Sequence, residues 1–554
     1  MPIKEVSAES VRDKSIRHGH ISTLHLWWAR RPLPVCRAVV FASLVPDPLD
    51  PACPAAFKEA IPLLLGKDQD GNVGDPYKPY EDIPWTPIVD LMPNNLRNRL
   101  LMFMGKFSQK FINNEKNGKT TPAKDKLDNA SLIKWDNKNN ERIINKARKL
   151  LWVSHQALQG DPRSAEELLA DFAHYYQAIK QAEEALYHHT PDRHVDTPEV
   201  QAKEQALHQA IEAFLEHMPK VFDPFAGGGA IPLEAARLGC RSYGNDINPV
   251  AHIIQKGSVE FPQKYGKPIT YSKEAFLEKY DRDALAAIPN DWKGYTKGEW
   301  THINIPNRLS FDVAHYAQKL LAATEAEIGH YYPADEEGKK PIAYYWARVG
   351  KCANPSCGAE VPMLRQFYLA NTTKKKVYLN PIINGTDISF EIKKGLNDIE
   401  GWSKRGNLHC PCCGQTTDVK LIKEQSKRGE FKEKMLAVIE ETPKGKGYRL
   451  PTQQEIDIIN QIPDEVETYR PTESMQRNSA GGDTFSWGVN KWGQMFSKKQ
   501  LFFLSTLVKK FKELQTDQQK QYDNALFAYL AILVHRVAIV NTSFGVWHTG
   551  RETL

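Results

Sequence analysis

Asp223, the glycines at 227–229 and Asp246 are the residues whose types and spacing most directly suggest chemistry. They lie in Val221-Phe-Asp-Pro-Phe-Ala-Gly-Gly-Gly229 and in Tyr243-Gly-Asn-Asp-Ile-Asn-Pro249, with Asp246 17 residues after Gly229. Glycines let the backbone turn tightly and approach a ligand where a side chain would block it. An acid about 20 residues beyond such a strand-to-helix turn is placed to accept hydrogen bonds from ribose hydroxyls. A pyrophosphate binder usually shows Gly-x-Gly-x-x-Gly without an acid in the turn. Here Asp223 would repel phosphate, and it suits a cationic amino-acid group such as the methionine ammonium of S-adenosylmethionine. The competing reading is an ordinary tight turn with Asp246 as a helix cap.

Such a turn needs a strand before it and a helix after it. Val221 and Phe222 read as the end of a buried strand. Ala230 to Leu238 has helix-forming composition, with Pro232 in the first turn and Gly239 as the stop. Arg241 to Gly244 reads as a second short strand with Asp246 at its carboxyl end. Upstream, Leu207, Ala210, Ile211, Phe214, Leu215 and Met218 recur at helical steps and form one apolar face.

Five of the eight cysteines fall within 352–413. Cys352-Ala-Asn-Pro-Ser-Cys357-Gly is one knuckle and Cys410-Pro-Cys-Cys413-Gly the other. Paired cysteines, each pair closed by glycine, are the layout of a four-thiolate zinc ribbon. Cys410 and Cys413 keep the two-residue spacing, so the expected ligands are Cys352, Cys357, Cys410 and Cys413 rather than Cys412. Four thiolates leave no open position, so this Zn2+ would be structural. Cys36, Cys53 and Cys240 are isolated and read as core residues.

Near the amino terminus, Trp27-Trp28-Ala-Arg30-Arg31-Pro-Leu33 supports two accounts. In one, the tryptophans anchor the core and the arginines face solvent. In the other, the turn packs against the methionine end of a cofactor, or an arginine contacts DNA phosphate.

The chain has 554 residues, 41% hydrophobic and 25% charged, and room for several domains. Its 73 Lys and Arg against 67 Asp and Glu make it only mildly basic. The segment 105–150 is more so, with 12 basic and 5 acidic residues. It reads as a solvated helical hairpin or mobile loop ahead of a DNA-contacting element. The start lacks the apolar core of a signal peptide, and no run reads as membrane-spanning, which predicts a cytoplasmic protein without membrane contact. Helices are expected from Val35 to Leu44, over much of 96–220, and at 308–328, 500–511 and 523–540. Residues 46–95 read as loop with short helical pieces, and 352–450 as short β-rich pieces.

Together, His18-Gly-His-Ile-Ser-Thr-Leu-His-Leu-Trp-Trp-Ala-Arg-Arg-Pro-Leu33, the Asp-Pro-Phe-Ala-Gly-Gly-Gly turn, Asn245-Asp-Ile-Asn-Pro249 and the cysteine knuckles resemble one family. So do Tyr345-Trp-Ala-Arg348, Tyr448-Arg-Leu-Pro-Thr452 and the stretch from Trp492 to Leu501. The family is the zinc-ribbon-containing adenine-specific DNA methylases, often found among phage-defence genes. The resemblance implies an α/β class I (Rossmann-like) methyltransferase fold binding S-adenosylmethionine at the carboxyl ends of its strands. It implies that Asp223, Pro224, Phe225, Ala226, Gly227, Gly228 and Gly229 cradle the methionine portion. Asp246 and Ile247 would serve the ribose end, with Trp28 and Arg31 beside the cofactor. It further implies a division into 1–95, packing on the core; 96–219, a helical insertion; and 220–340, the cofactor-binding half. A zinc-ribbon insertion at 341–455 would recognise DNA, and 456–554 would be a helical tail.

Amino-directed DNA methylases carry Asp, Asn or Ser followed by Pro-Pro and an aromatic residue, which hold the flipped base. No Pro-Pro occurs in this sequence. The expected fold is therefore incomplete, with a second chain or a further carboxyl-terminal part completing the site. The alternative is a non-catalytic DNA-binding or cofactor-sensing subunit of a defence complex.

Overall fold

The computed structural model describes the chain apart from residues 17, 26, 28, 29, 67–95, 196, 336, 444, 477–483, 515–519 and 554, and apart from the side chains of 520 and 521. It is mixed α/β and divides into two compact units, 1–315 with 518–529, and 316–517 with 530–554.

The amino-terminal unit is mainly helical. Helices Leu33–Leu44, Ala55–Leu65, Leu96–Met104, Glu141–Leu158 and Ala165–Tyr187 share one core that includes Phe41, Phe57, Phe103, Trp152 and Phe172. Local signals start several of them. Asn140 and Ser164 cap through their side chains, Ser164 in a reciprocal box with Glu167. Thr197 caps Pro198–Glu216, whose Leu207 and Phe214 are buried. The basic segment 105–150 is not a solvated hairpin. Phe107, Phe111, Leu127, Leu132, Ile133 and Trp135 are buried, so its apolar side chains outweigh its charge. Of the loop expected at 46–95, residues 55–65 form a helix and 67–95 lie outside the described residues.

Strands Lys220–Asp223 and Arg241–Gly244 pair in parallel, Val221 against Ser242 and Phe222 against Tyr243. Helix Ala230–Arg237 links them and packs on Leu33–Leu44. Val221 packs on the main core, but Phe222 is 63% exposed, against the expectation of a buried strand end. One face of the pair is covered and the other is bare. Ile269–Ser272 does not extend this pair. It enters a separate antiparallel sheet with Glu299–Ile305 at the centre and Lys293–Thr296 beyond. Behind that sheet, Asp312 accepts hydrogen bonds from the Tyr280 hydroxyl at 2.5 Å and the Tyr522 hydroxyl at 2.6 Å. Burial and this carboxylate hold the Tyr280 phenol well above its ordinary pKa.

The carboxyl-terminal unit is built on antiparallel sheets. The largest has the order Gly445–Arg449, Lys432–Thr442, Pro341–Lys351, Glu360–Pro362. A hairpin sheet of Tyr368–Asn371, Lys376–Asn384 and Asp387–Lys394 shares its core. Ser403–Lys404, Asn407–His409 and Thr416–Thr417 make a third, small sheet. Helix Lys498–Glu513 is started by a Ser497/Gln500 capping box.

Helix Lys520–Val540 spans the division between the units in sequence. Contrary to the reading of the sequence, its Tyr522–Val540 stretch is long and apolar enough to cross a membrane by length and composition. Tyr522, Ala525, Leu526 and Leu530 of that helix are buried, while 22% of the stretch as a whole is buried.

Candidate cofactor pocket and metal centre

The glycine turn is closed by backbone geometry that only glycine adopts easily. Gly227 and Gly229 have φ of +53° and +83°. The Asp246 carboxylate ties the turn to the end of the second strand, accepting from Gly227 N–H and Asn248 N–H, each at 2.9 Å. Asp246 lies just past the strand end, and the cap of helix Pro249–Gln255 is Asn248 rather than Asp246. Its oxygens keep lone pairs for further donors. Gln255 Nε2 donates to Gly227 O at 3.2 Å. Just beyond Gln255 the helix widens into a π-turn at Lys256–Glu260, where the Tyr529 hydroxyl donates to Gly257 O at 2.6 Å.

Asp223 is buried, and its Oδ1 accepts from Phe225 N–H at 3.0 Å. Among the described residues its buried Oδ2 has no hydrogen-bond donor; the Arg31 guanidinium lies 3.7 Å away. A buried carboxylate oxygen without a donor is costly. It fits a ligand that brings a cationic N–H group.

The amino-terminal motif walls this pocket. The Trp27 indole lies where a Cβ on Gly227 would be, and Trp27 Cβ is 3.5 Å from the corresponding position on Gly228. His20, Ser22, Arg30 and Arg31 line the same space with Asp223, Phe225, Ala226, Gly227, Gly228 and Asp246. His20 Nε2 is 3.1 Å from Asp13 Oδ2, and its ring stacks on Trp135. The Trp/Arg turn thus packs against the glycines through Trp27. Trp28 lies outside the described residues. Pro224, Phe225 and Ile247 are exposed, Ile247 at 99%, and Gly229 is buried beside Gln255. The pocket encloses about 90 Å3, well below the roughly 300–1,000 Å3 of small-molecule sites.

No local sequence signal marks His20 or Gln255 as site residues, and Trp27 is marked only as part of the Trp/Arg motif. The positive φ that forces glycine at 227 is a local signal, but the indole that fills its missing side chain comes from 200 residues away.

Below the pocket, Arg37 and Glu234 are fully buried. Arg37 Nε donates to Glu234 Oε2 at 2.6 Å and Arg37 Nη1 to Leu132 O at 2.8 Å. Arg237 also pairs with Glu234. This cluster fixes helix Leu33–Leu44 to the helix that the glycine turn starts.

In the other unit, the thiols of Cys352, Cys357, Cys410 and Cys413 all lie within 4.8 Å of one another. Cys352 Sγ is 3.6 Å from Cys413 Sγ, and Cys357 Sγ is 3.8 Å from Cys410 Sγ. Four sulfurs around zinc at about 2.3 Å would be about 3.8 Å apart, so the cluster is compatible with a structural zinc site. Gly358 and Gly414, with φ of +58° and +76°, turn the backbone after each knuckle. Cys412 is outside the cluster. Burial pushes the Cys352 thiol up to about 12, while the Gln415 N–H pulls Cys413 down to about 7. Cys36 and Cys240 are buried thiols pushed up to about 12 by burial, as expected of core residues.

A family model described as "Protein of unknown function (DUF1156)" matches residues 1–61. The matched stretch contains Trp27, Arg31 and Arg37. Among curated proteins nothing matches the chain, and among solved structures nothing matches either.

Proposed function

We propose that this chain is the S-adenosylmethionine-binding and DNA-recognition part of an adenine-specific DNA methyltransferase of a phage-defence or restriction-modification system. In this reading the parallel pair and its linking helix are the start of a class I methyltransferase sheet. The observation that carries it is the buried, donor-less Asp223 Oδ2 beside a glycine turn walled by Trp27 and Arg31.

S-adenosylmethionine, when bound, supplies the methyl group. Asp223 would take its ammonium. Asp246, already oriented by two backbone N–H groups, would accept from the ribose.

The reading assigns the base-holding atoms to a second polypeptide segment, since the sequence contains no Pro-Pro. Two observations support that division. The pocket is small, and the bare side of the parallel pair carries exposed Phe222 and Tyr243, with exposed Phe225 and Ile247 nearby. Parallel sheets are normally covered on both faces, and clustered exposed apolar residues mark contact surfaces. The four-thiolate region is assigned to DNA recognition.

Calorimetry with S-adenosylmethionine tests the cofactor reading. Binding by the parent chain, weakened at least about tenfold in Asp223→Asn, supports it. Absence of binding, or equal binding by Asp223→Asn, overturns it. The chain alone is expected to transfer no methyl group to DNA, and detectable adenine methylation would refute the division between two segments.

A further inference from the structure

The carboxyl-terminal unit contains a larger cleft, of about 400 Å3, distinct from the glycine turn. Side chains alternate along strand Pro341–Lys351. Ala347 and Tyr345 contribute to the core behind it, while Tyr344, Trp346 and Arg348 share the other face and line the cleft. Trp547 lines it too, held by its indole N–H donating to Leu369 O at 2.7 Å.

Among the described residues, three buried donors in the lining lack an acceptor: Lys499 Nζ, the Tyr344 hydroxyl and Asn541 Nδ2. Lys499 is only 7% exposed. Its ammonium sits between the Tyr332 and Tyr344 rings, 4.3 and 4.2 Å from their centroids. Ring faces stabilise a cation but leave its hydrogen-bonding capacity unused. Lys499 also stands in the first turn of helix Lys498–Glu513, where the helix dipole adds positive potential. Buried polar groups are nearly always paired, and three unpaired donors in one lining call for an acceptor-rich ligand. The adjoining tyrosine and tryptophan rings call for one with a flat face. Glu433, opposite Arg348 in the strand register, lines the cleft and discourages a ligand that is anionic throughout.

We propose that this cleft is a nucleotide site, stacking one base on Tyr344 and Trp346 and presenting its phosphate to Lys499 and Arg348. A nucleotide combines a planar base with an anionic group at one end, which matches the division of the lining. The nucleotide can be free or part of a DNA strand, and the chemistry is shared. The assignment holds whether or not the glycine turn binds a cofactor.

The full chain is titrated with dAMP, with inorganic phosphate and with a short fluorescein-labelled single-stranded oligodeoxynucleotide. Binding of dAMP or of the oligonucleotide is expected, and the tighter of the two identifies the source. Trp346→Ala is expected to weaken it by roughly tenfold, the effect of losing one stacking platform. Lys499→Met is expected to weaken it comparably. That variant replaces an unpaired buried charge by an apolar chain, so misfolding does not explain its loss. Phosphate binding as tightly as dAMP, no binding of either nucleotide ligand, or unchanged affinity in both variants overturns the proposal. Calorimetry with S-adenosylmethionine on the same samples reads the glycine turn separately.

Discussion

Arg37 and Glu234 provide a quantitative test of what holds the glycine turn in place. Both side chains are fully buried and lie 197 residues apart. Removing one partner of a buried ion pair costs about 3–5 kcal/mol, because the other charge stays in a poorly solvating interior. Arg37→Met keeps the aliphatic stem but leaves Glu234 with Arg237 alone and Leu132 O without its donor. Since Arg237 remains, the lower end, about 3 kcal/mol, is expected. At roughly 2 °C per kcal/mol for a large unit, the melting transition should fall by about 6 °C. The double variant Arg37→Met/Glu234→Met removes both charges and should be less destabilised than the sum of the single variants, with coupling on the order of 2 kcal/mol. Differential scanning calorimetry of the four proteins measures both quantities. A single variant melting within about 1 °C of the parent, or strictly additive effects, would refute the argument that this pair fastens the two helices.

Three further outcomes follow from the geometry. Gly227→Ala should destabilise the amino-terminal unit by about 1–2 kcal/mol or more, through its left-handed φ and its collision with Trp27. Gly228→Ala, with ordinary contact distances, should be tolerated; equal melting shifts for the two would contradict this. Burial lowers the Lys499 pKa from 10.5 to about 8, so the unfolded chain holds this proton more tightly than the folded one. Below pH 8 both states are charged and the burial penalty is full, at most about 3 kcal/mol; it is relieved as pH rises from 8 towards 10.5. Lys499→Met should therefore melt higher than the parent at pH 7, with the difference shrinking towards pH 10; a difference that stays constant or grows with pH would refute this. Cys410→Ser should lose bound zinc by elemental analysis and expose the carboxyl-terminal unit to proteolysis, whereas Cys412→Ser should retain the metal. Zinc retained at parental stoichiometry in Cys410→Ser would refute the ligand set.

The sequence alone determined what is encoded over a few residues. A glycine run between a short strand and a helix, an acid at the end of the next strand and cysteine pairs with two and four intervening residues are constraints on local backbone and donor type. The structure has those elements at those positions. Capping residues such as Ser164, Thr197 and Ser497 are local for the same reason: one side chain reaches an amide three residues on. Tertiary structure alone decided which distant surfaces meet. The Trp27 indole on Gly227, the Arg37–Glu234 pair and the Asp223 oxygen left without a donor are long-range results of packing. So is the departure of Ile269–Ser272 into its own antiparallel sheet, which leaves the parallel pair two-stranded. Strand periodicity states which side chains share a face, not which neighbour the strand will choose. That choice depends on the apolar area each pairing removes from water, summed over residues hundreds of positions apart. Basic composition misled at 105–150 for the same reason. Phe111, Ile133 and Trp135 pay for their place in the core with burial that no count of lysines registers.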